Sequence, residues 1–193
     1  MSSARLNGAI LISGRGSNMQ ALVRAAQQDP DYPVNFTHVL SDQPDAPGLA
    51  WAISQGLEVA IIDPKDGAGI NKQLTACGAQ IVCLAGYMRV LPPEVTDFWA
   101  GRMLNIHPTL LPKHKGLNAQ AKALAAGDAE AGASVHFVSA ELDGGDIVMQ
   151  RAVPVLAEDS VESLSARILA VEHQIFPAAV QQVATTLAEA QAA

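Results

Sequence analysis

Asn105 and His107 stand two residues apart in the stretch Met103-Leu-Asn-Ile-His-Pro-Thr-Leu-Leu-Pro112. Side chains alternate along a strand, so both would point to one face, with Leu104 and Ile106 on the other. Pro108 has no N–H to donate, which ends the ladder there. An amide able to polarise a carbonyl, beside an imidazole able to move a proton, suits acyl transfer. Asp143 lies in Glu141-Leu-Asp-Gly-Gly-Asp146, a loop whose glycines let it bend toward a strand end. Near His107 its carboxylate would favour the imidazolium and orient the ring. The same residues also fit a plainer pattern: an Asn capping a turn, a surface histidine and an Asp in an Asx turn. Spacing alone leaves both open. Of the other histidines, His136 reads as a sheet residue and His114 as a solvated loop residue able to contact an anion.

A second group is Gly14-Arg-Gly-Ser-Asn18, set between an apolar run and a helical one. Strand, glycine loop and helix together offer backbone N–H groups and a helix N-terminus to a phosphate. The dinucleotide fingerprint is only partly met, because its third glycine position holds Met19. Asp42 closes the second strand, where a ribose-binding acid would sit in such a fold. A structural turn without ligand is the other reading of this loop.

These groups need a scaffold, and the apolar pattern supplies one. Strands are expected over Leu6–Ser13, Val34–Leu40, Val59–Ile62, Ala79–Ala85 and Arg102–Ile106. Helices are expected over Met19–Gln28, from Asp45-Ala-Pro-Gly through Gln55, over Ile70–Cys77 and from Pro92-Pro93. Short strands alternating with helices predict a Rossmann-like, doubly wound, mostly parallel α/β sheet. After Pro112 the pattern changes. A helix is expected over Asn118–Ala126 with Asn118 as its N-cap, and a strand over Ser134–Ser139. Ile147–Leu156 should return antiparallel, since too few residues intervene for a crossover helix. Asp159-x-x-Glu162 has the form of a capping box opening the last helix. Pro177 should kink or break that helix, and its tail after Ala184 should fray.

The chain has 193 residues, enough for a single domain spanning 1–193, and 49% of them are hydrophobic, enough for a buried core. A net charge of −7 disfavours gripping a nucleic acid. No apolar run approaches membrane-spanning length, and the N-terminus lacks a signal peptide's pattern. Cys77 and Cys83 have no nearby histidine to make a zinc site, and Cys83 in an apolar strand reads as a buried thiol. The expectation is a cytoplasmic protein without a metal, acting on small molecules, with homo-oligomer formation left open.

Four stretches carry a resemblance to a known family: Ile12-Ser-Gly-Arg-Gly-Ser-Asn18, Leu84-Ala-Gly-Tyr-Met-Arg-Val-Leu91, Asn105-Ile-His-Pro-Thr-Leu-Leu-Pro112, and Ser134-Val-His-Phe-Val138 with Leu142-Asp-Gly-Gly145. In that order they resemble the phosphoribosylglycinamide formyltransferases, and the likeness covers nearly the whole chain. The resemblance implies formyl transfer from 10-formyltetrahydrofolate, a co-substrate, to the amine of glycinamide ribonucleotide in de novo purine biosynthesis. It implies Asn105, His107 and Asp143 as the catalytic trio. It implies Gly16, Ser17 and Asn18 on the ribonucleotide phosphate and Glu172 at the glycinamide end. Met88, Arg89, Val90 and Leu91, with Asn105, Glu141 and Leu142, fall on the folate side. Two positions depart from the pattern. The region Lys65–Leu74 has lysines where members often carry an arginine, and Asn118 stands where many have a histidine. Formyltetrahydrofolate hydrolase and methionyl-tRNA formyltransferase are similar in the trio, but carry an added regulatory or RNA-binding domain, which is not expected here. A non-enzymatic nucleotide-binding module, using only the glycine loop, is the rival from another class.

Overall fold

The computed structural model describes residues 5–192. The chain runs β1 (Leu6–Ile12), α1 (Ser17–Gln28), β2 (Val34–Ser41), α2 (Pro47–Ser54), β3 (Glu58–Ile61), α3 (Gly67–Ala76), β4 (Ile81–Leu84), α4 (Pro93–Phe98), β5 (Met103–His107), α5 (Ala119–Ala126), β6 (Glu130–Phe137), β7 (Ile147–Pro154) and α6 (Val161–Ala192). One seven-stranded sheet holds all the strands in the order β3-β2-β1-β4-β5-β6-β7. The ladders from β3 to β5 are parallel. Those of β5 with β6 and of β6 with β7 are antiparallel. The mostly parallel, Rossmann-like sheet matches expectation, with two antiparallel ladders at its C-terminal side.

Alternation along the strands splits the core in two. Ile10 and Ile12 of β1 pack with Met19 and Leu22 of α1 and Leu164, Ile168 and Phe176 of α6. Ala9 and Leu11 face the other way, onto Ile70 and Leu74 of α3 and Val95 and Trp99 at α4. Each large side chain so buried contributes about 1.5–3 kcal/mol. Trp99 also donates its indole N–H to Asn71 Oδ1 at 3.0 Å, so its one polar atom is satisfied.

Several local expectations fail for identifiable reasons. α3 starts at Gly67, inside the expected loop, because Asp66 accepts from Gly69 N at 2.8 Å and caps the first turn. β6 starts at Glu130, four residues early, where Ala131, Gly132 and Ala133 hide the strand from any propensity argument. Asn118 occupies the N-cap position of α5 but its side chain makes no capping bond. The box opening α6 is formed by Ser160 and Ser163, which exchange N–H···Oγ bonds of 3.0 and 3.2 Å. Asp159 instead takes both guanidinium nitrogens of Arg167, at 2.7 and 2.9 Å. Pro177 does not break α6, which continues to Ala192. Its flanks Ile175, Phe176, Ala179 and Val180 are buried, and Tyr32 Oη donates to Pro177 O at 2.8 Å. Tertiary packing there outweighs the lost backbone bond.

Candidate active site

β1 and β4 are neighbours, yet the chain leaves β1 toward β2 on its other side. Such a switch point opens a crevice at the carboxyl ends of the strands. The glycine loop lies in it. Gly16 has φ +69°, a left-handed turn natural to glycine, and α1 starts at Ser17 without a side-chain cap. The N–H groups of that first turn therefore have no intrahelical partner. They border a cavity of about 390 Å³ that Ser17, Asn18, Met88, Gln120 and Glu172 also line. Gly48 lets α2 press against the loop: its N–H donates to Gly14 O at 3.1 Å. A Cβ at Gly48 would meet Gly14 O at 2.9 Å and Ile12 Cδ1 at 2.6 Å.

Asn18 and Glu172 are both buried. Asn18 Nδ2 donates to Glu172 Oε2 at 2.7 Å, tying α1 to α6. Asn18 Oδ1 is buried with no protein donor, an unmet acceptor in the cavity wall. Burial pushes the Glu172 carboxyl above its ordinary pKa, with the Asn18 bond acting the other way. Asp42 is not free for a ribose. It accepts from Ser13 Oγ at 2.6 Å, Gln43 Nε2 at 2.7 Å and Arg89 Nε at 2.8 Å. Burial acts to raise its pKa, but those bonds prevail and hold it below its ordinary value. Ser13 Oγ in turn accepts from Met88 N at 2.9 Å, so this knot fastens the loop after β4 to the end of β1.

Asn105 and His107 close β5, with Asn105 opposite His136 and His107 opposite Ser134 in the antiparallel ladder. Cross-strand partners share a face, so four polar side chains gather there. Ser134 Oγ donates to Thr109 O at 2.6 Å and accepts from Leu111 N at 3.0 Å, which holds the turn after β5 in place. His107 and Asp143 are brought together: Nε2 to Oδ2 is 3.6 Å, with both side chains largely buried. That is ion-pair reach rather than a hydrogen bond. Asp143 Oδ2 accepts from Gly116 N at 2.8 Å, across 27 residues, so it is not a self-contained turn residue. Its φ is +48°, a left-handed conformation uncommon outside glycine. His107 Nε2 also lies 3.4 Å from His114 O; a carbonyl only accepts, so this nitrogen carries the proton.

His136, a sheet residue of β6 as expected, also joins this cluster. It is 3% exposed, its Nε2 is 3.0 Å from Asn105 Nδ2 and 3.7 Å from Asp143 Oδ1. His114 is no solvated anion contact, since its Nε2 is 2.7 Å from Asp128 Oδ2.

Asn105, His136 and Asp143 line a second hollow of about 90 Å³, with Arg89, Val90, Leu91, Glu141 and Leu142. Met88 lines the glycine-loop cavity instead. Glu141 is exposed and paired to Lys115 Nζ at 2.7 Å. Val90 and Leu142 are 70% and 54% exposed, an apolar rim over polar groups. Asn118 is exposed, and Gln120, two residues on, borders the glycine-loop cavity. Lys65 and Lys72 line neither space. A larger cleft, about 750 Å³, opens at the opposite edge of the sheet beside Arg5, His38 and Glu58. Size does not make it the site: the strands present their carboxyl ends elsewhere. Among the described residues no group of three or more His, Cys, Asp or Glu is arranged to hold a metal, and no helix is long and apolar enough to cross a membrane.

Residues 6–180 match the family described as formyl transferase. The chain is 42% identical over 176 residues to a phosphoribosylglycinamide formyltransferase of Haemophilus influenzae, covering 88% of this chain and 82% of that protein. It is 41% identical over 187 residues to the trifunctional purine biosynthetic protein adenosine-3 of Drosophila melanogaster, covering 93% of this chain but only 14% of that protein's length. The crystal structure of phosphoribosylglycinamide formyltransferase from Anaplasma phagocytophilum superposes with a TM-score of 0.90 at 44% identity, covering 94% of this chain and 87% of that one.

Proposed function

The chain belongs to the formyl transferase family, and from that premise we propose that it moves the formyl group of 10-formyltetrahydrofolate onto the amine of glycinamide ribonucleotide, a step of de novo purine synthesis. The observation that carries the reading is the meeting of Asn105, His107 and Asp143 at the end of β5, between two cavities. Successive residues serve opposite sides there: Asn105 lines one cavity and Ile106 the other. That suits a transfer between two bound molecules. The small, soluble substrates call for no nucleic acid or membrane partner, and the cytoplasm is where they would meet.

The ribonucleotide phosphate lies on the backbone N–H groups of Gly16, Ser17 and Asn18. The unmet Asn18 Oδ1 and the Glu172 carboxyl face its donors. The folate lies over Arg89, Val90, Leu91, Glu141 and Leu142, with Met88 at the border between the ligands. The folate supplies the activated formyl group. The ribonucleotide's neutral amine attacks the formyl carbon, forming the new C–N bond and pushing the carbonyl electron pair onto oxygen; the tetrahedral oxyanion then collapses and the bond to the folate nitrogen breaks. Asn105 donates an amide N–H to the developing oxyanion, and the protonated His107 ring, its Nε2 turned to His114 O and Asp143, stabilises it by charge. One such donor lowers a barrier by about 3 kcal/mol. Asp143 balances the charge on His107 and helps carry the proton from the attacking nitrogen to the leaving one.

Absorbance of a 10-formyl folate analogue, followed with purified protein, tests this. Deformylation should require glycinamide ribonucleotide. Equal loss without it would indicate hydrolysis, and binding of NAD without folate would restore the dinucleotide reading.

A further inference from the structure

We propose that His136 is a positioning residue: as the neutral Nδ1–H tautomer, it fixes which end of the Asn105 amide faces the reacting carbonyl. The importance of that orientation rests on the formyl-transfer reading; the orientation itself does not.

His136 Nδ1 lies 2.8 Å from Phe137 O. A carbonyl oxygen has no hydrogen to give, so Nδ1 must carry one. In a neutral ring Nε2 is then a bare acceptor. The group 3.0 Å from it is the Asn105 amide, and only an N–H can satisfy a bare nitrogen. The Nδ2 end of Asn105 must therefore turn toward His136. One amide hydrogen is taken by the ring, and the second remains for an oxygen in the hollow that both residues line. Without this anchor an Asn amide rotates about its last bond, with its two ends nearly equal in shape. Rotated by half a turn, it would offer Oδ1 to a developing oxyanion, converting an attraction into a repulsion.

The anchor works only while the ring is neutral. The charged or titratable groups around it are His107 from β5, Asp143 and Glu141 from the loop after β6, Lys115 from the loop before α5, and Arg89 from the loop after β4. Burial opposes a charge on the ring most strongly, and His107 and Lys115 add to that. The Phe137 bond and Asp143 favour the charge but do not prevail, so the ring titrates below its ordinary value. On protonation Nε2 gains a hydrogen and can no longer accept from Asn105. It would turn to Asp143 Oδ1, 3.7 Å away, and the amide would be released.

Long-range 1H–15N NMR of histidine-labelled wild-type protein reads the tautomer without any substrate. At neutral pH His136 should show a protonated Nδ1 and a bare Nε2. The charged ring should appear only below the ordinary value of 6.5, in step with an acid loss of kcat. Kinetics of His136→Phe give the second reading: kcat should fall about 10- to 100-fold with each substrate's Kd within about twofold. His136→Gln, whose amide oxygen can accept from Asn105, should recover part of the loss. An Nε2–H ring in active wild-type protein, or a folded His136→Phe with unchanged kcat, overturns the assignment. If His136→Phe does not fold, the tautomer decides. Wild-type protein that never formylates glycinamide ribonucleotide overturns the functional reading, a different result from either.

Discussion

Asn105→Ala removes a donor whose bond strengthens as the oxyanion forms, so it should cost turnover rather than binding. The expected loss in kcat is about 10²-fold or more, with substrate affinities nearly kept. Normal kcat with weaker binding would take Asn105 out of the oxyanion role. Glu172 gives a prediction of the opposite kind. Its buried carboxyl has a raised pKa in the folded chain, above an ordinary value of 4.5. Such a group contributes stability that is complete below the unfolded pKa and is lost as pH rises through the folded one. Ionising Glu172 in the native state therefore carries a cost that the unfolded chain does not bear. Glu172→Gln, which can still accept from Asn18, should raise Tm at neutral pH, and the gain should vanish in acid. It should also weaken ribonucleotide binding about 10-fold. A Tm difference that is the same at both pH values would contradict the burial argument. At this scale residue type and spacing singled out Asn105, His107 and Asp143 but left a plainer reading open; the structure adds that His107 and Asp143 lie 3.6 Å apart. His136 was not singled out. Its role depends on which β5 residue it faces, and antiparallel register between strands about thirty residues apart leaves no mark in spacing.

The elements that matter most are the strand ends and the tight loop after β1. Gly16→Val imposes a β-branched side chain at φ +69° and sets its Cβ 2.7 Å from Met19 Cε. Ribonucleotide affinity should fall at least about 10-fold while folate affinity stays within about twofold, measured by calorimetry with each ligand alone. Equal weakening of both would indicate a folding defect, and unchanged ribonucleotide affinity would move the phosphate elsewhere. Gly48→Ala should act on the same loop from behind, since its Cβ would press on Gly14 O and Ile12. A loss of about 1–3 kcal/mol in stability is expected by chemical denaturation, with the ribonucleotide again the ligand more affected. Nothing in the run Asp45-Ala-Pro-Gly marks Gly48 as a contact of the glycine loop; only the packing of α2 across the crevice reveals it. Apolar strands and a mostly parallel sheet were readable because buried strands are continuous hydrophobic runs alternating with helices. The starts of α3 and β6 were not, because glycines and alanines there are recruited by a cap and by neighbouring strands.

Over the whole molecule, the sheet brings two cavities to either side of one strand end and fastens their walls together through Asp42. That carboxylate joins Ser13, on the glycine loop side, to Arg89, which lines the smaller hollow. Asp42→Ala should therefore weaken both ligands, unlike Gly16→Val, in calorimetric titrations with each ligand alone. Unchanged affinity for both ligands in a folded Asp42→Ala chain would contradict a shared wall. The dinucleotide-like outline was visible in the sequence, yet Asp42 shows how an outline misleads: a strand-end acid can serve the protein's own loops. The central claim is that a formyl group passes between two molecules held at Asn105, His107 and Asp143. Carbon NMR of a reaction with 13C-formyl-labelled 10-formyltetrahydrofolate and glycinamide ribonucleotide tests it most directly. The label should appear on the ribonucleotide's amide, one for one with folate consumed, and Asn105→Ala should slow its appearance about 10²-fold. Label released as free formate at the same rate with or without ribonucleotide would contradict the account.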